Sequence, residues 1–343
     1  MNVINKKELL SSGRLSVKER VLKNFRFIVS HSVFGPLAGL FLIAIIFTIG
    51  TNGFFLSLGN ILTILNLSGV LAIITLGISM VLIMGGIDLS IEGIMSLTAV
   101  VCGFLVKNSL TKIDIGFWAL PVVMIIGAIV GIINGLVNTR LKIPSFMATL
   151  GMGFVAQGLA VILTRGATVP FLDPRYQDLV NGSILLGIPN ITIIAVILGV
   201  ILLIMQKRTP LGKSIYAIGG NEELAKQSGI NVERVKISIF GLAGCLYGMA
   251  AFFLCSRLNC ANPTLSKGFL FPAITAAIVG GTALTGGIGG ALNAFVGVLV
   301  LTSLNNGMVL MQINPYIQGA VMGFILIGAV AITIDREKIG IIK

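Results

Sequence analysis

Apolar residues run along this chain in long unbroken blocks, not in the alternation of a half-buried strand. A helix needs roughly 20 apolar residues to cross about 30 Å of hydrocarbon. Blocks of about that length lie near 34–54, 66–86, 89–107, 116–137, 144–164, 188–206, 237–256, 269–283, 288–306 and 315–334. The pattern predicts an all-α polytopic membrane protein with about ten transmembrane helices. Continuous runs speak against a transmembrane barrel, whose strands alternate. The eighth block is short and the third is interrupted, so both are expected to be discontinuous.

The longest polar island in this series is Lys207–Lys236, KRTPLGKSIYAIGGNEELAKQSGINVERVK. Asn221 stands where a helix N-cap belongs, Glu222 and Glu223 suit the first turn, and Gly229 suits a left-handed C-cap. The helix so defined, Glu222 to Ser228, has about two turns and is marginal alone in water. It needs the membrane domain behind it or a partner in front of it. The same residues also read as a solvated loop joining two spans.

Three glycine-rich interruptions fall inside the apolar blocks: IMGGIDLSIEG at 83–93, VGGTALTGGIGG at 279–290 and the milder SLNNGM at 303–308. The first two share a plan of apolar run, glycine pair, hydroxyl or acid, apolar run. Broken helices at membrane depth are tolerated only where they face protein or a wet cavity. Asp88 or Ser90 can cap a new helix start. Asp88 and Glu92 are the acids within this span-rich stretch, and either one facing lipid at mid-depth would cost about 2.5–3.5 kcal/mol. They therefore face the bundle interior, a cavity or the interface, either lining a translocation path or capping helices. Thr282, Thr285 and Asn305 stand at the other interruptions. Such side chains can hydrogen-bond a polyhydroxylated solute, or satisfy freed backbone groups.

Composition agrees with a membrane protein. The 343 residues are 56% hydrophobic and 10% charged, against about 25% charged in soluble domains, and mean hydropathy is +1.03. The net charge of +12 would suggest nucleic acid in a soluble protein, but its distribution reads as orientation instead. With the N-terminus inside, Lys107, Lys112, Arg165, Arg175, Arg257 and Lys267 fall outside, and the other 18 of 24 basic residues fall inside. That bias predicts an even number of spans, both termini cytoplasmic, and a cytoplasmic 207–236 island. Residues 1–33 read as a basic cytoplasmic tail, with or without an amphipathic interfacial helix, and no cleavable signal is apparent. Residues 34–335 form the transmembrane domain and 336–343 a second cytoplasmic tail. The outside segment near 165–187 either folds over the outer mouth, meets an external partner, or is a plain connection.

Chemistry-bearing motifs are missing. Cys102, Cys245, Cys255 and Cys260 show no metal-ligand spacing and read as free thiols, and the lone His31 makes neither a metal site nor a proton relay. LGKS at 211–214 lacks the first glycine of a phosphate loop, because Lys207 occupies that place. No nucleophile meets a base, so no catalytic residue is assigned. A chain without its own energy source is a carrier or one part of a driven machine. Ion-coupled carriers bury ionisable residues in several spans, whereas this chain buries at most two. That favours the driven machine and makes the cytoplasmic helix a handle for a partner.

In combination, GGIDLS (85–90), IPSFMATLGMGF (143–154), GNEELAKQSGINVERVK (220–236), GGTALTGGIGG (280–290) and LNNGM (304–308) resemble the membrane permeases of bacterial ATP-binding-cassette importers for simple sugars. The resemblance covers about residues 40–335. It implies a multi-pass protein of the bacterial plasma membrane in which two permease copies or paralogues form the path. It also implies cytoplasmic cassette ATPases that hold ATP-Mg, and an external solute-binding protein, with no cofactor on this chain. Residues 221–231 then correspond to the coupling helix, with Glu222, Glu223, Ala225, Ser228 and Gly229 seated in the ATPase, and transport follows alternating access. Two departures stand out. Glu92 occupies a place where the family usually has glycine, and Leu270 and Pro272 replace acidic residues. They leave the solute open among a pentose, a hexose, a sugar-like signalling molecule, a polyol and a nucleoside.

Overall fold

The computed structural model describes residues 34–333, residue 186 excepted. The two tails assigned from sequence, and any interfacial helix in the first of them, lie outside the described residues. In chain order the helices are α1 (Phe34–Gly50), α2 (Leu58–Ile83), α3 (Ile91–Leu105), α4 (Ala119–Arg140), α5 (Ser145–Thr164), α6 (Arg175–Asn181), α7 (Asn190–Arg208), α8 (Pro210–Gly220), α9 (Glu222–Gln227), α10 (Val232–Leu258), α11 (Leu270–Val279), α12 (Ala291–Leu310) and α13 (Pro315–Thr333). Six of them, α2, α4, α5, α7, α10 and α12, are long and apolar enough to cross a membrane, and α1, α3, α11 and α13 are shorter apolar helices.

Burial sorts these helices into two shells. In α10, 78% of the most apolar window is buried, against 22% in α5. Helices α2, α10 and α12 form the interior, while α4, α5 and α7 turn Ile129, Phe154, Ile162 and Ile197 outward. An apolar exterior suits helices because their backbone bonds close internally and ask nothing of lipid. The tightest seam joins α4 to α10. Methyl groups placed on Gly127, Gly131 and Gly248 would overlap the carbonyls of Gly244, Phe240 and Val123. Glycines at four-residue spacing thus bring two backbones into direct contact.

The third block is not itself interrupted: helix α2 stops at Ile83 and α3 runs unbroken over Ile91–Leu105, so the first glycine break lies between two helices. Helix α11 has ten residues, about 15 Å and half the hydrocarbon thickness, and α12 starts after the Gly280–Gly290 break. At one end of the bundle the segment around 165–187 is a built cap. Strand β1 (Val169–Pro170) is followed by β2 (Ser183–Leu185) and β3 (Ile188–Pro189), which pair with each other. Strand β1 itself pairs with β4 (Cys260–Ala261) beyond α10. Tyr176 of α6 packs its ring against Phe117, Phe171 and Phe252 at 5.1, 5.4 and 6.0 Å. Arg175 forks onto the Asp173 carboxylate, with Nη2 at 2.5 Å from Oδ2. The opposite end carries α8 and α9. Helix α8 is an addition to the sequence expectation, which gave the polar island a single short helix.

Candidate coupling and translocation sites

Helix α9 is closed at both ends by its own residues. Asn221 Oδ1 accepts the Leu224 N–H at 3.0 Å. At the other end Gly229 has φ 85°, and the N–H groups of Gly229 and Ile230 donate to the carbonyls of Lys226 and Ala225 at 3.0 and 3.1 Å. This crossed pair satisfies the last carbonyls and demands a left-handed residue. The helix ends at Gln227 with Ser228 as its cap, one residue short of the expected limit. Ala225 faces inward at 4% exposure, while Leu224 is 58% exposed and Glu222, Glu223, Ser228 and Gly229 face out. Glu222 is tied to Lys236 at the base of α10 at 2.7 Å. Glu223 has no ion-pair partner among the described residues. The outer face of α9 is therefore an acid, a leucine and a glycine turn, already ordered.

Behind it, α8 reaches the two glycine breaks. Thr209 caps α8 by accepting the Gly212 N–H, and Pro210 follows in the first turn. In the last turn, Gly219 lies against both breaks: a methyl there would overlap the Ile83 carbonyl oxygen and the Gly287 nitrogen. Those two groups are themselves joined, the Gly287 N–H donating to the Ile83 carbonyl at 2.8 Å. Tyr216 Oη donates to the Gly289 carbonyl at 2.9 Å. Gln206, in the last turn of α7, accepts the Ala291 N–H that opens α12. Two breaks 200 residues apart thus form one joint, and α8 is its third member.

Asp88 and Ser90 sit inside the first break, both fully buried. Asp88 Oδ1 accepts the N–H and hydroxyl of Ser90 at 2.9 and 2.5 Å. Ser90 Oγ accepts from Asn134 Nδ2 on α4 at 2.9 Å. Thr149 and Ser145 of α5 take the Leu89 and Ile87 N–H groups. Tyr247 of α10 lies within electrostatic reach of Asp88, although no hydrogen bond of good geometry closes between them. Through Oδ1 this carboxylate braces the break, while its Oδ2 is buried with no hydrogen-bond partner among the described residues.

Glu92 caps a helix other than its own. Its Oε1 accepts the N–H groups of Gly268 and Leu270 at 2.8 and 3.1 Å, at the start of α11. Its backbone carbonyl accepts the Ser266 hydroxyl, and Ser96 and Gln157 both donate to the Pro263 carbonyl. The chain before α11 is thereby pulled down beside the first turns of α3. In the second break Thr282 is fully buried, with no partner for Oγ1 among the described residues, while Thr285 is exposed. Asn305 is exposed on α12 and borders a cavity of about 260 Å³. The six path candidates thus fall in separate places. Asp88, Ser90, Thr282 and Thr285 belong to the two breaks that meet, Glu92 holds α11, and Asn305 meets a cavity. Gln206, Tyr216, Gly219 and Asn134 escaped the sequence reading. The pair Gly219–Gly220, repeating the pairs of both breaks, was the available signal.

A family profile described as "Branched-chain amino acid transport system / permease component" matches residues 60–330. The chain belongs to this permease family. The permease is 38% identical over 311 residues to the "Ribose import permease protein RbsC" of Bacillus subtilis (strain 168), covering 89% of this chain and 92% of the relative. It is 32% identical to the RbsC of Escherichia coli (strain K12), with 88% and 92% covered. It is also 32% identical to the "Galactose/methyl galactoside import permease protein MglC" of Haemophilus influenzae, with 90% and 95% covered. No solved structure matches the permease.

Proposed function

We propose that this permease is the translocation subunit of an ATP-driven importer for a simple sugar or sugar-like solute, with about ten spans and both termini in the cytosol of a bacterial cell. Its partners on this reading are a cytoplasmic cassette ATPase that holds ATP-Mg, an extracytoplasmic solute-binding protein and a second permease copy or paralogue. The observation that carries the reading is the continuity from α9 to the breaks. A capped two-turn helix with an unpaired acid and an exposed leucine is joined through α8 to a backbone joint between both discontinuous regions. Force applied to α9 by a closing ATPase pair is transmitted to that joint, and the bundle switches between outward and inward openings. The sugar assignment is supported by the names of the relatives.

The test is transport by the assembled importer carrying Glu223→Arg or Gly229→Pro. Both variants are expected to insert normally while ATP hydrolysis no longer drives uptake. Import at the full rate by either variant overturns the reading. Gradient-driven flux in liposomes holding this chain alone would instead favour a self-sufficient carrier.

A further inference from the structure

The cavity beside Asn305 is lined by the end of α10, the start of α11 and one face of α12. Leu67 and Leu71 of α2 also line it, with Phe269 just before α11 and Pro272 within it. Three polar groups in its wall lack a hydrogen-bond partner among the described residues: Arg257 Nη1, Thr302 Oγ1 and Asn306 Oδ1. Thr302 and Asn306 are each 7% exposed and stand four residues apart on one face of α12. Buried polar atoms are nearly always paired, because leaving them unpaired costs stability. Three such atoms around one space point to a ligand that completes them.

We propose that this cavity is a contact site within the permease for a neutral polyhydroxylated solute. The site rests on the importer reading above and gives it a location. The chemistry of the wall selects the ligand class. Asn306 Oδ1 only accepts, Arg257 only donates, and the Thr302 hydroxyl does both. A simple carboxylate offers acceptors alone and leaves Asn306 Oδ1 unmet, whereas a sugar hydroxyl serves all three. A cation is repelled by the guanidinium. The N-terminus of α11 would attract an anion, but the Glu92 carboxylate already occupies it. Opposite the polar groups, Phe269 and the leucines offer apolar surface for the C–H face of a sugar ring.

The experiment uses the full chain in lipid nanodiscs and saturation-transfer NMR, with D-ribose and D-galactose as neutral probes and glutarate, which has no hydroxyl, as the anionic one. Saturation of the neutral sugars but not of glutarate is expected. Thr302→Val and Asn306→Leu should each weaken sugar binding about tenfold, the worth of one lost hydrogen bond. Both variants should melt no lower than the parent, because each removes an unpaired polar group. Absence of sugar saturation in the parent, equal saturation by glutarate, or full binding by both variants overturns the site. In the assembled importer the two ideas separate. If Glu223→Arg uncouples while Thr302→Val and Asn306→Leu import with unchanged KM, the site is wrong and the importer reading stands. If Glu223→Arg imports normally while the isolated chain binds sugar through Thr302, the reverse holds.

Discussion

Gly219 and Gly220 are neighbours in sequence and opposites in surroundings. A methyl on Gly219 would collide with two backbone atoms, the Ile83 oxygen and the Gly287 nitrogen, which are bonded to each other at 2.8 Å. A methyl on Gly220 meets nothing within 4 Å. Backbone cannot rotate away as a side chain can, so Gly219→Ala must part the two breaks. The lost hydrogen bond contributes about 0.5–1.5 kcal/mol and the overpacking about 1–3 kcal/mol, giving a destabilisation of roughly 1.5–4.5 kcal/mol. Gly220→Ala gains about 0.5–1 kcal/mol from the smaller entropy of the unfolded chain. The assay is thermal unfolding of the purified permease in detergent, followed by reactivity of the buried thiols of Cys102 and Cys255. Gly219→Ala should release these thiols at a clearly lower temperature than the parent, and Gly220→Ala at the same or a higher one. Equal melting of the two variants, or the reverse order, would refute the three-way joint.

Two further outcomes follow from the polar anchors. Glu92→Ala orphans the N–H groups of Gly268 and Leu270 and should cost about 2–3 kcal/mol, while Glu92→Gln keeps an acceptor and should cost about 1 kcal/mol; denaturant titration checks the order, and an Ala variant as stable as the parent would overturn the cap. The hydrogen-bonded Arg175 guanidinium holds the Asp173 carboxyl below its ordinary value of 3.8. A carboxyl depressed in the folded state stabilises above that value, and the contribution disappears as pH falls through the folded one. Asp173→Asn should therefore be less stable than the parent at neutral pH and converge with it in strong acid, and a gap that persists there would count against the pair.

The apolar blocks located the helices of the membrane domain well, because lipid demands continuous runs and leaves little freedom. The caps of α9 were equally legible, since capping is a local bargain between a side chain and a backbone three residues away. Errors arose where polarity was a poor guide to position. The first turns of α2 lie ahead of the apolar block that starts near 66, because polar Asn60 interrupts the run there, yet Asn60 is buried and donates to the Phe55 carbonyl at 2.8 Å. Helix α8 was lost because Pro210 and a glycine pair read as loop, although proline after a threonine cap is a starting signal. The meeting of Ile83 with Gly287, and of Glu92 with Gly268, has no local signature at all. Contacts at that separation are decided by how the bundle closes, and one chain's residues carry no label for their distant partners.

The backbone contact between α4 and α10 has a consequence for movement. Two rods that interlock carbonyl against glycine cannot slip by small amounts, so they travel together as a keel. Rearrangement during transport then belongs to the parts hinged on it, α8 with its joint and the α11–α12 side. Amide hydrogens along Phe240–Gly248 should accordingly be the last in the molecule to exchange with solvent deuterium.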